Sequence, residues 1–207
     1  FFTAYSTSPF HVPAGPEIYT VDADAAVFVL ARNAGEGADR RAEKGDYFLS
    51  DEEYTLLSDV CDRYEKVILL LNSGGVVDLS FLEKLPQIQA VLAVSQLGQE
   101  GGTAVADVIS GIISPSGKLT DTWAFSYDDY PNAATFSHNN GNVEEEKYEE
   151  GIYVGYRYFD TFEIPVRYGF GYGMSYASFT MNTVRIKTAE NGEVRVTVKV
   201  RNHSQEF

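Results

Sequence analysis

Residues 25–40 read AAVFVLARNAGEGADR, an apolar run followed at once by a loop in which one carboxylate stands between two glycines. The apolar run, 25–31, is typical of a strand buried on both faces of a parallel sheet. Glycine on both sides of Glu36 removes side-chain bulk and permits a positive φ, so that a substrate can approach the carboxylate closely. Loops at the carboxyl ends of parallel strands hold the functional sites of α/β folds. Glu36 is therefore a candidate for a chemical role, although Gly-Glu-Gly is also typical of a surface turn with a solvated acid.

The strand pattern recurs twice further along the chain. Residues 66–71 and 90–94 are short, nearly continuous apolar runs bounded by polar or glycine-containing segments. Helical patterns lie between and after these runs. Strands that alternate with helices predict an α/β fold, here a three-layer α/β/α sandwich with a mostly parallel sheet.

Three helices are predicted from the spacing of apolar residues. The first covers about 51–63, where Ser50 and Glu53 form a capping-box pair ahead of apolar residues at steps of three and four. This helix is expected to pack on the sheet. A shorter helix is predicted over 79–85, and a third over 103–113, with an inward face made of Ala104, Val105, Val108, Ile109 and Ile112.

The second half of the chain changes character. Residues 118–125 are expected to be extended, and the polar, acidic stretch 126–150 is typical of a long exposed connection. From 179 onward, apolar and polar residues alternate around the turn 190–192, which predicts a β-hairpin. Because an isolated hairpin is marginally stable, it is interpreted as the first strands of an incomplete β-sandwich. The predicted organisation is an amino-terminal segment, an α/β domain and the start of a second domain, over 1–19, 20–176 and 177–207.

Composition excludes several classes of partner. The formal net charge is -14 at pH 7, from 30 acidic against 16 basic residues, so the surface repels phosphate backbones and anionic lipids. Neither a nucleic-acid nor a membrane role is expected, and no apolar window is long enough to cross a bilayer. Cys61 is the single cysteine and can form no internal disulfide, which fits a reducing compartment. A cytoplasmic location is expected, with secretion as the alternative.

No metal or organic cofactor is expected from the motifs. The three histidines lie far apart, without a Cys or a second His at ligand spacing. Residues 98–102 (GQEGG) put an acid where a phosphate would sit, and the glycines at 169–173 have the wrong spacing for a dinucleotide and indicate a tight aromatic turn. The aromatic residues between 153 and 176 can line a sugar site or pack beneath a loop.

Five segments of the chain form a recognisable series. They are 33–40, 67–79 (VILLLNSGGVVDL), 98–119 (GQEGGTAVADVISGIISPSGKL), 148–160 (YEEGIYVGYRYFD) and 168–179 (YGFGYGMSYASF). Together, in this order and spacing, they resemble the carboxyl-side α/β sandwich domain of glycoside hydrolase family 3, the β-glucosidase family. The terminal hairpin is similar to the start of the fibronectin type III-like domain that follows it in many members. In this chain, Ser95-Gln96-Leu97 stands where an aromatic residue and a proline often precede GQEGG.

The resemblance implies a retaining glycosidase whose two catalytic carboxylates come from different domains. An Asp nucleophile belongs to a separate (β/α)8 barrel of the same polypeptide, and the α/β domain contributes the general acid/base, a position that Glu36 matches. The implied activity is hydrolysis of terminal non-reducing β-D-glucosyl residues of a β-glucoside or oligosaccharide, without a cofactor, and the fragment alone is expected to be inactive. Glu100, the other glycine-flanked acid, is the reserve candidate, although it is expected to hydrogen-bond its own loop and the start of the following helix.

Charged residues around Glu36 are interpreted as structural. Asp39 and Arg40 are expected to form a local ion pair that fixes the loop, and Arg32 and Arg41 are candidates for the same purpose.

Several alternatives stay open at this point. Within the same chemistry, the parent protein could be a β-xylosidase or an α-arabinofuranosidase. From other classes, it could be a non-catalytic carbohydrate-binding or scaffolding protein, or a nucleotide-binding regulatory domain. The order of the barrel and this segment, and assembly into a homo-oligomer, are also left open by the sequence.

Overall fold

Three parallel strands form the sheet of the α/β fold. The computed structural model describes residues 23–32 and 39–205. Strand β1 covers Ala26–Ala31, β2 covers Val67–Asn72 and β3 covers Ile88–Ala93, in the order β1-β2-β3 with both pairings parallel. Val67 and Leu69 of β2 are fully buried, because a middle strand covered on both faces can hold a continuous apolar run. The three predicted strands are thus confirmed.

Helix α1, Asp51–Arg63, connects β1 to β2 along the chain and has the predicted bounds. The backbone N–H of Glu53 donates to Ser50 Oγ over 3.1 Å, and the Ser50 N–H donates back to Glu53 Oε2 over 2.8 Å. This reciprocal capping box satisfies donors that a helix start leaves without intrahelical partners. Leu57 and Cys61 are buried on one side of the helix, so that its apolar spacing is used as the sequence predicted.

The two later helix predictions were too long. The predicted helix at 79–85 is a single 3-10 turn over Ser80–Glu83. Helix α2 covers Gly101–Ile109 rather than 103–113. Gly111 adopts a φ of +77° and its N–H donates to Val108 O over 3.0 Å, a left-handed glycine that ends the helix. Ile112 consequently lies beyond the helix and is 71% exposed, so that its predicted place on the inward face was wrong, as was that of the exposed Ala104.

Antiparallel pairs follow the parallel sheet. Only Trp123–Ala124 of the segment predicted to be extended forms a strand, β4, which pairs with β5, Val166–Tyr168. Between them, the helical structure of residues 126–150 is limited to two 3-10 turns, at Tyr127–Asp129 and Phe136–His138, as expected of a long connection. Helix α3, Tyr156–Thr161, precedes β5.

Strands β6, Phe179–Thr188, and β7, Val194–Asn202, form the predicted antiparallel hairpin. Gly192 in the connecting turn has a φ of +84°. Residues of both strands are exposed on both faces of the ribbon. The fold class is confirmed as a parallel α/β sheet with helices, followed by antiparallel strands.

The chain divides into two compact units. Of the described residues, one unit consists of 23–32, 39–100 and 120–170, and the other of 101–119 and 171–205. In the second unit, the Leu119 N–H donates to Tyr172 O and the Gly171 N–H donates to Leu119 O, each over 2.8 Å. The domain boundary near 176 remains a prediction about the parent protein. In the described part of the chain, no helix has both the length and the apolar character required to cross a membrane.

Candidate functional site

Arg32 marks the carboxyl end of β1, where the loop that contains Glu36 begins. Its N–H continues the sheet by donating to Asn72 O over 2.9 Å. Its side chain is 3% exposed and forms two parallel bonds with Glu53, from Nη1 to Oε1 at 2.6 Å and from Nη2 to Oε2 at 2.8 Å. A bidentate guanidinium–carboxylate pair fixes orientation as well as charge. The start of the loop is therefore tied to the first turn of α1.

Arg40 marks the return of that loop to the same edge of the sheet. Its Nε donates to Asp46 Oδ1 and its Nη2 to Asp46 O, each over 2.6 Å. Its Nη1 donates to Val76 O over 2.7 Å and to Ser73 Oγ over 3.3 Å. Because Ser73 and Val76 directly follow β2, residue 40 lies at the carboxyl end of the neighbouring strand.

One backbone carbonyl joins the two arginines. Asp46 O accepts from Arg32 Nε over 2.7 Å and from Arg40 Nη2 over 2.6 Å. The Asp46 carboxylate also accepts the Arg41 N–H through Oδ2 over 2.6 Å, while Phe48 O accepts from Arg32 Nη2 over 3.3 Å. The turn over residues 41–48 is thus built around the guanidinium groups on either side of the Glu36 loop.

The predicted ion pair around the loop has different partners from those expected. Arg40 pairs with Asp46, not with its neighbour Asp39, which is exposed. The 41–48 turn carries the Asp46 carboxylate back onto the Arg40 guanidinium, where Oδ1 accepts from Nε over 2.6 Å. Arg41 is also exposed and lies 3.9 Å from Glu43, a surface contact of little energetic weight.

The contacts described above do not test the catalytic role of Glu36 or that of Glu100. Glu36 lies at 33–38, outside the described residues, so that its catalytic assignment stays a prediction. Glu100 is exposed and immediately precedes α2. Its reserve role stays a prediction as well.

Some of the aromatic residues in the second half of the chain are buried and others are exposed, and whether any of them lines a sugar site stays a prediction. Phe159 is buried and meets Tyr130 edge-on at 5.8 Å between ring centroids. Tyr156 and Phe170 instead stack at 4.9 Å while remaining about half exposed. Within the 41–48 turn, burial, and after it the proximity of Tyr130, raises the pKa of the Tyr47 hydroxyl.

Within 23–32 and 39–205, no three His, Cys, Asp or Glu side chains are arranged to hold a metal ion. His138 Nδ1 lies 2.7 Å from Asn142 O and 3.3 Å from Glu146 Oε2. His203 Nε2 lies 2.8 Å from Thr180 Oγ1. Both described histidines thus have local polar partners.

Sequence reasoning missed Asp46 and the second role of Glu53. Glu53 was identified as a capping residue, and it also neutralises Arg32 at 1% exposure of its own side chain. A signal existed, since an arginine directly after a buried strand requires a nearby carboxylate. Nothing in the local pattern distinguished Asp46 from the other acids between 39 and 53.

Comparison with known proteins shows to which family the chain is similar. The model of the glycosyl hydrolase family 3 C-terminal domain matches residues 16–156. A beta-glucosidase of Ruminococcus albus is 41% identical over 180 residues, which are 86% of this chain and 18% of that protein. An exo-alpha-(1->6)-L-arabinopyranosidase of Bifidobacterium longum is 36% identical over 153 residues, 74% of this chain and 20% of that protein. The chain thus spans about a fifth of the length of these curated relatives.

Solved structures agree with the family model. Beta-glucosidase 3B from Thermotoga neapolitana, in complex with glucose, superimposes with a TM-score of 0.77 and 42% identity, covering 86% of this chain and 25% of that one. A beta-glucosidase from Paenibacillus barengoltzii gives a TM-score of 0.83 and 39% identity, covering 89% of this chain and 20% of that one. Both structures therefore share the fold of this chain and about two fifths of its aligned residues, over most of its length. The chain belongs to glycosyl hydrolase family 3 and contains that family's C-terminal α/β domain.

Proposed function

We propose that this chain is part of a retaining β-glucosidase and that Glu36 is its general acid/base. The family membership and the beta-glucosidases among its relatives support the reaction class. The chain's small share of each relative's length supports a larger polypeptide, in which a (β/α)8 barrel carries the nucleophilic Asp.

The observation that carries the assignment is the anchoring of both flanks of Glu36 at the carboxyl edge of the sheet. Arg32 directly follows β1, and Arg40 contacts Ser73 and Val76, which follow β2. Ligand sites of α/β sheets lie outside this edge. The residues on either side of Glu36 thus lie at the edge where a substrate bound by another domain would be expected.

The proposed reaction has two steps with one intermediate. The barrel Asp attacks the anomeric carbon while the bond from that carbon to the leaving oxygen breaks, and protonated Glu36 gives its proton to this oxygen. Glu36, now a carboxylate, then takes a proton from water as the water oxygen attacks the anomeric carbon and releases the Asp. Retaining geometry requires the two carboxyl groups to be about 5–5.5 Å apart. Glu36 must stay protonated until the first step, which requires partial burial or the nearby negative charge of the nucleophile.

Replacement of Glu36 in the full-length protein tests the assignment. Glu36→Ala is expected to lower kcat/KM about 10²- to 10⁴-fold for β-glucosides with poor leaving groups, because general acid catalysis contributes that much. The loss should be far smaller for 2,4-dinitrophenyl β-glucoside, whose leaving group needs no proton. Azide should accelerate turnover of that substrate and yield glucosyl azide, since it attacks the intermediate without a general base.

Glu43→Ala is the matched control, because Glu43 is a nearby exposed carboxylate at 60% side-chain exposure. It should retain normal kinetics with every leaving group. Normal kinetics in the Glu36 variant would refute the assignment, and a protein without turnover of any glycoside would favour the non-catalytic alternative.

Arabinosidase activity is the second candidate, because two of the relatives are exo-alpha-(1->6)-L-arabinopyranosidases. The chemistry and the role of Glu36 would be the same, and the barrel would select the sugar. A panel of 4-nitrophenyl glycosides, including β-D-glucoside, β-D-xyloside, α-L-arabinofuranoside and α-L-arabinopyranoside, separates the candidates. The highest kcat/KM should belong to the β-D-glucoside.

We also propose a cytoplasmic location, which the single cysteine of the chain supports. Fractionation of the producing cells should find the β-glucosidase activity with cytoplasmic marker enzymes. Activity in the culture medium would contradict the proposal.

A further inference from the structure

We propose that Arg40 is a positioning residue for the general acid, and that Asp46 O is the joint at which both flanks of its loop are held. The inference rests on the proposed function of Glu36. It concerns only contacts of residues on either side of that loop.

The first support is that the side chains at both ends of the loop bind the same acceptor atom. The loop leaves the sheet at Arg32 and returns at Arg40, and both guanidinium groups donate to Asp46 O at 2.7 and 2.6 Å. A carbonyl oxygen has two lone pairs, so one peptide group can accept both donors. The separation of the two side chains that flank residues 33–39 is thereby fixed through a single atom.

The second support is the number and origin of the acceptors around Arg40. Four acceptor atoms surround its guanidinium, and they come from the 41–48 turn and from the segment after β2. The side chain is 21% exposed. A planar guanidinium carries five donors in a rigid fork, whereas a lysine ammonium is a point charge with three donors on a flexible stem. Lysine therefore keeps the charge at this position but loses the geometry.

Gly75 lies beside the Arg40 side chain. A Cβ at residue 75 would lie 3.4 Å from Arg40 Nη1 and 3.8 Å from Arg40 Cδ. The Arg40 side chain thus lies at ordinary van der Waals distance from the place that a Cβ at residue 75 would occupy.

The consequence concerns how precisely Glu36 is positioned in the proposed site, which two domains share. Catalytic groups must be held within about 0.5 Å of their productive geometry, and a misplacement of about 1 Å costs on the order of 10²-fold in rate. Glu36 stands between two glycines in the sequence, and glycine restricts the backbone less than any other residue. The anchors at its ends are therefore expected to supply that precision.

The test compares Arg40→Lys, Arg40→Ala and Arg41→Ala in the full-length protein. Arg41 is the matched control, because it is adjacent, of the same type and 74% exposed. Both Arg40 variants should lose about 10- to 100-fold in kcat/KM for β-glucosides with poor leaving groups. The loss should shrink for 2,4-dinitrophenyl β-glucoside, and azide should then raise turnover. Arg41→Ala should match the wild type with every substrate.

Two results would overturn the inference. A loss in Arg40→Lys that is equal for all leaving groups would indicate a general structural defect, and no loss would show that the anchor is dispensable. Arg40→Lys gives the result even where Arg40→Ala does not fold. The Glu36→Ala series separates this outcome from failure of the proposed function, because a Glu36 variant without leaving-group dependence rejects the assignment whatever Arg40 does.

Discussion

At the scale of single residues, the structure gives charged and polar groups partners that determine their chemistry. The buried Arg32–Glu53 pair has two short bonds, and Glu53 Oε2 also accepts the Ser50 N–H. Removing one member of a buried ion pair leaves the other uncompensated, which costs about 3–5 kcal/mol. Arg32 is consequently a poor site at which to test catalysis, whereas the partly exposed Arg40 is a suitable one.

Cys61 provides a residue-scale prediction about reactivity. Its side chain lies on the buried side of α1 at 3% exposure, and burial, followed by the charge of Asp62, raises the pKa of its thiol. Since the thiolate is the reactive form, a raised pKa lowers its fraction at any pH below that pKa. Iodoacetamide at pH 8 should label the folded chain much more slowly than the urea-unfolded chain, as measured by intact mass.

Free N-acetylcysteine under the same two conditions controls for the effect of urea on the reagent. Because Cys61 is the single cysteine, each chain reports one site. Equal labelling rates in the folded and unfolded chain would contradict the packing of α1.

At the scale of elements, α1 depends on its start and on its buried side. Ser50 caps the helix, three acidic residues occupy its first turn, and Arg63 lies in its last turn. These charges oppose the partial charges at the helix ends. Local sequence therefore favours this helix before any tertiary contact forms.

Ser50→Ala tests the cap. The change removes the side-chain acceptor of the Glu53 N–H, and it should lower the free energy of unfolding by about 1 kcal/mol. Urea denaturation followed by circular dichroism measures the difference. Ser58→Ala is the matched control within the same helix, where the higher helix propensity of Ala predicts no loss. Equal stabilities of the two variants would show that the cap contributes nothing.

At the scale of the whole molecule, the proposed chemistry is divided between this chain and a barrel domain. The parallel sheet, the helices and the hairpin are all present in the described residues. The retaining mechanism nevertheless needs a second carboxylate at a defined distance from the first. The α/β domain alone is therefore expected to fold without being able to turn over a glycoside.

An activity assay of the 207-residue chain by itself tests whether the reaction needs a carboxylate from a second domain. The isolated chain should release no 4-nitrophenol from 4-nitrophenyl β-D-glucoside, whereas the full-length protein should, because the proposed nucleophile belongs to the barrel. A circular dichroism spectrum with helix and strand signals controls for folding. Turnover by the isolated chain at a rate near that of the full-length protein would place both carboxylates within these 207 residues.

Most of the local structure was predictable because it depends on neighbouring residues. The apolar runs of β1, β2 and β3, the capping box of α1 and the alternation in β6 and β7 all correspond to observed elements. Each depends on periodicity or on a cap within a few positions. The candidate site was predictable only as a loop after β1, together with a family that its motifs resemble.

Tertiary structure decided which side chains meet. The partner of Arg40 is Asp46 rather than the adjacent Asp39, and Asp46 O also accepts from Arg32. These partners depend on how the chain folds back on itself, because a turn and the segment after a neighbouring strand supply acceptors that local sequence does not encode. The sequence alone determined the strands, the capped helix and the family, and the three-dimensional arrangement determined which groups hold Arg32 and Arg40.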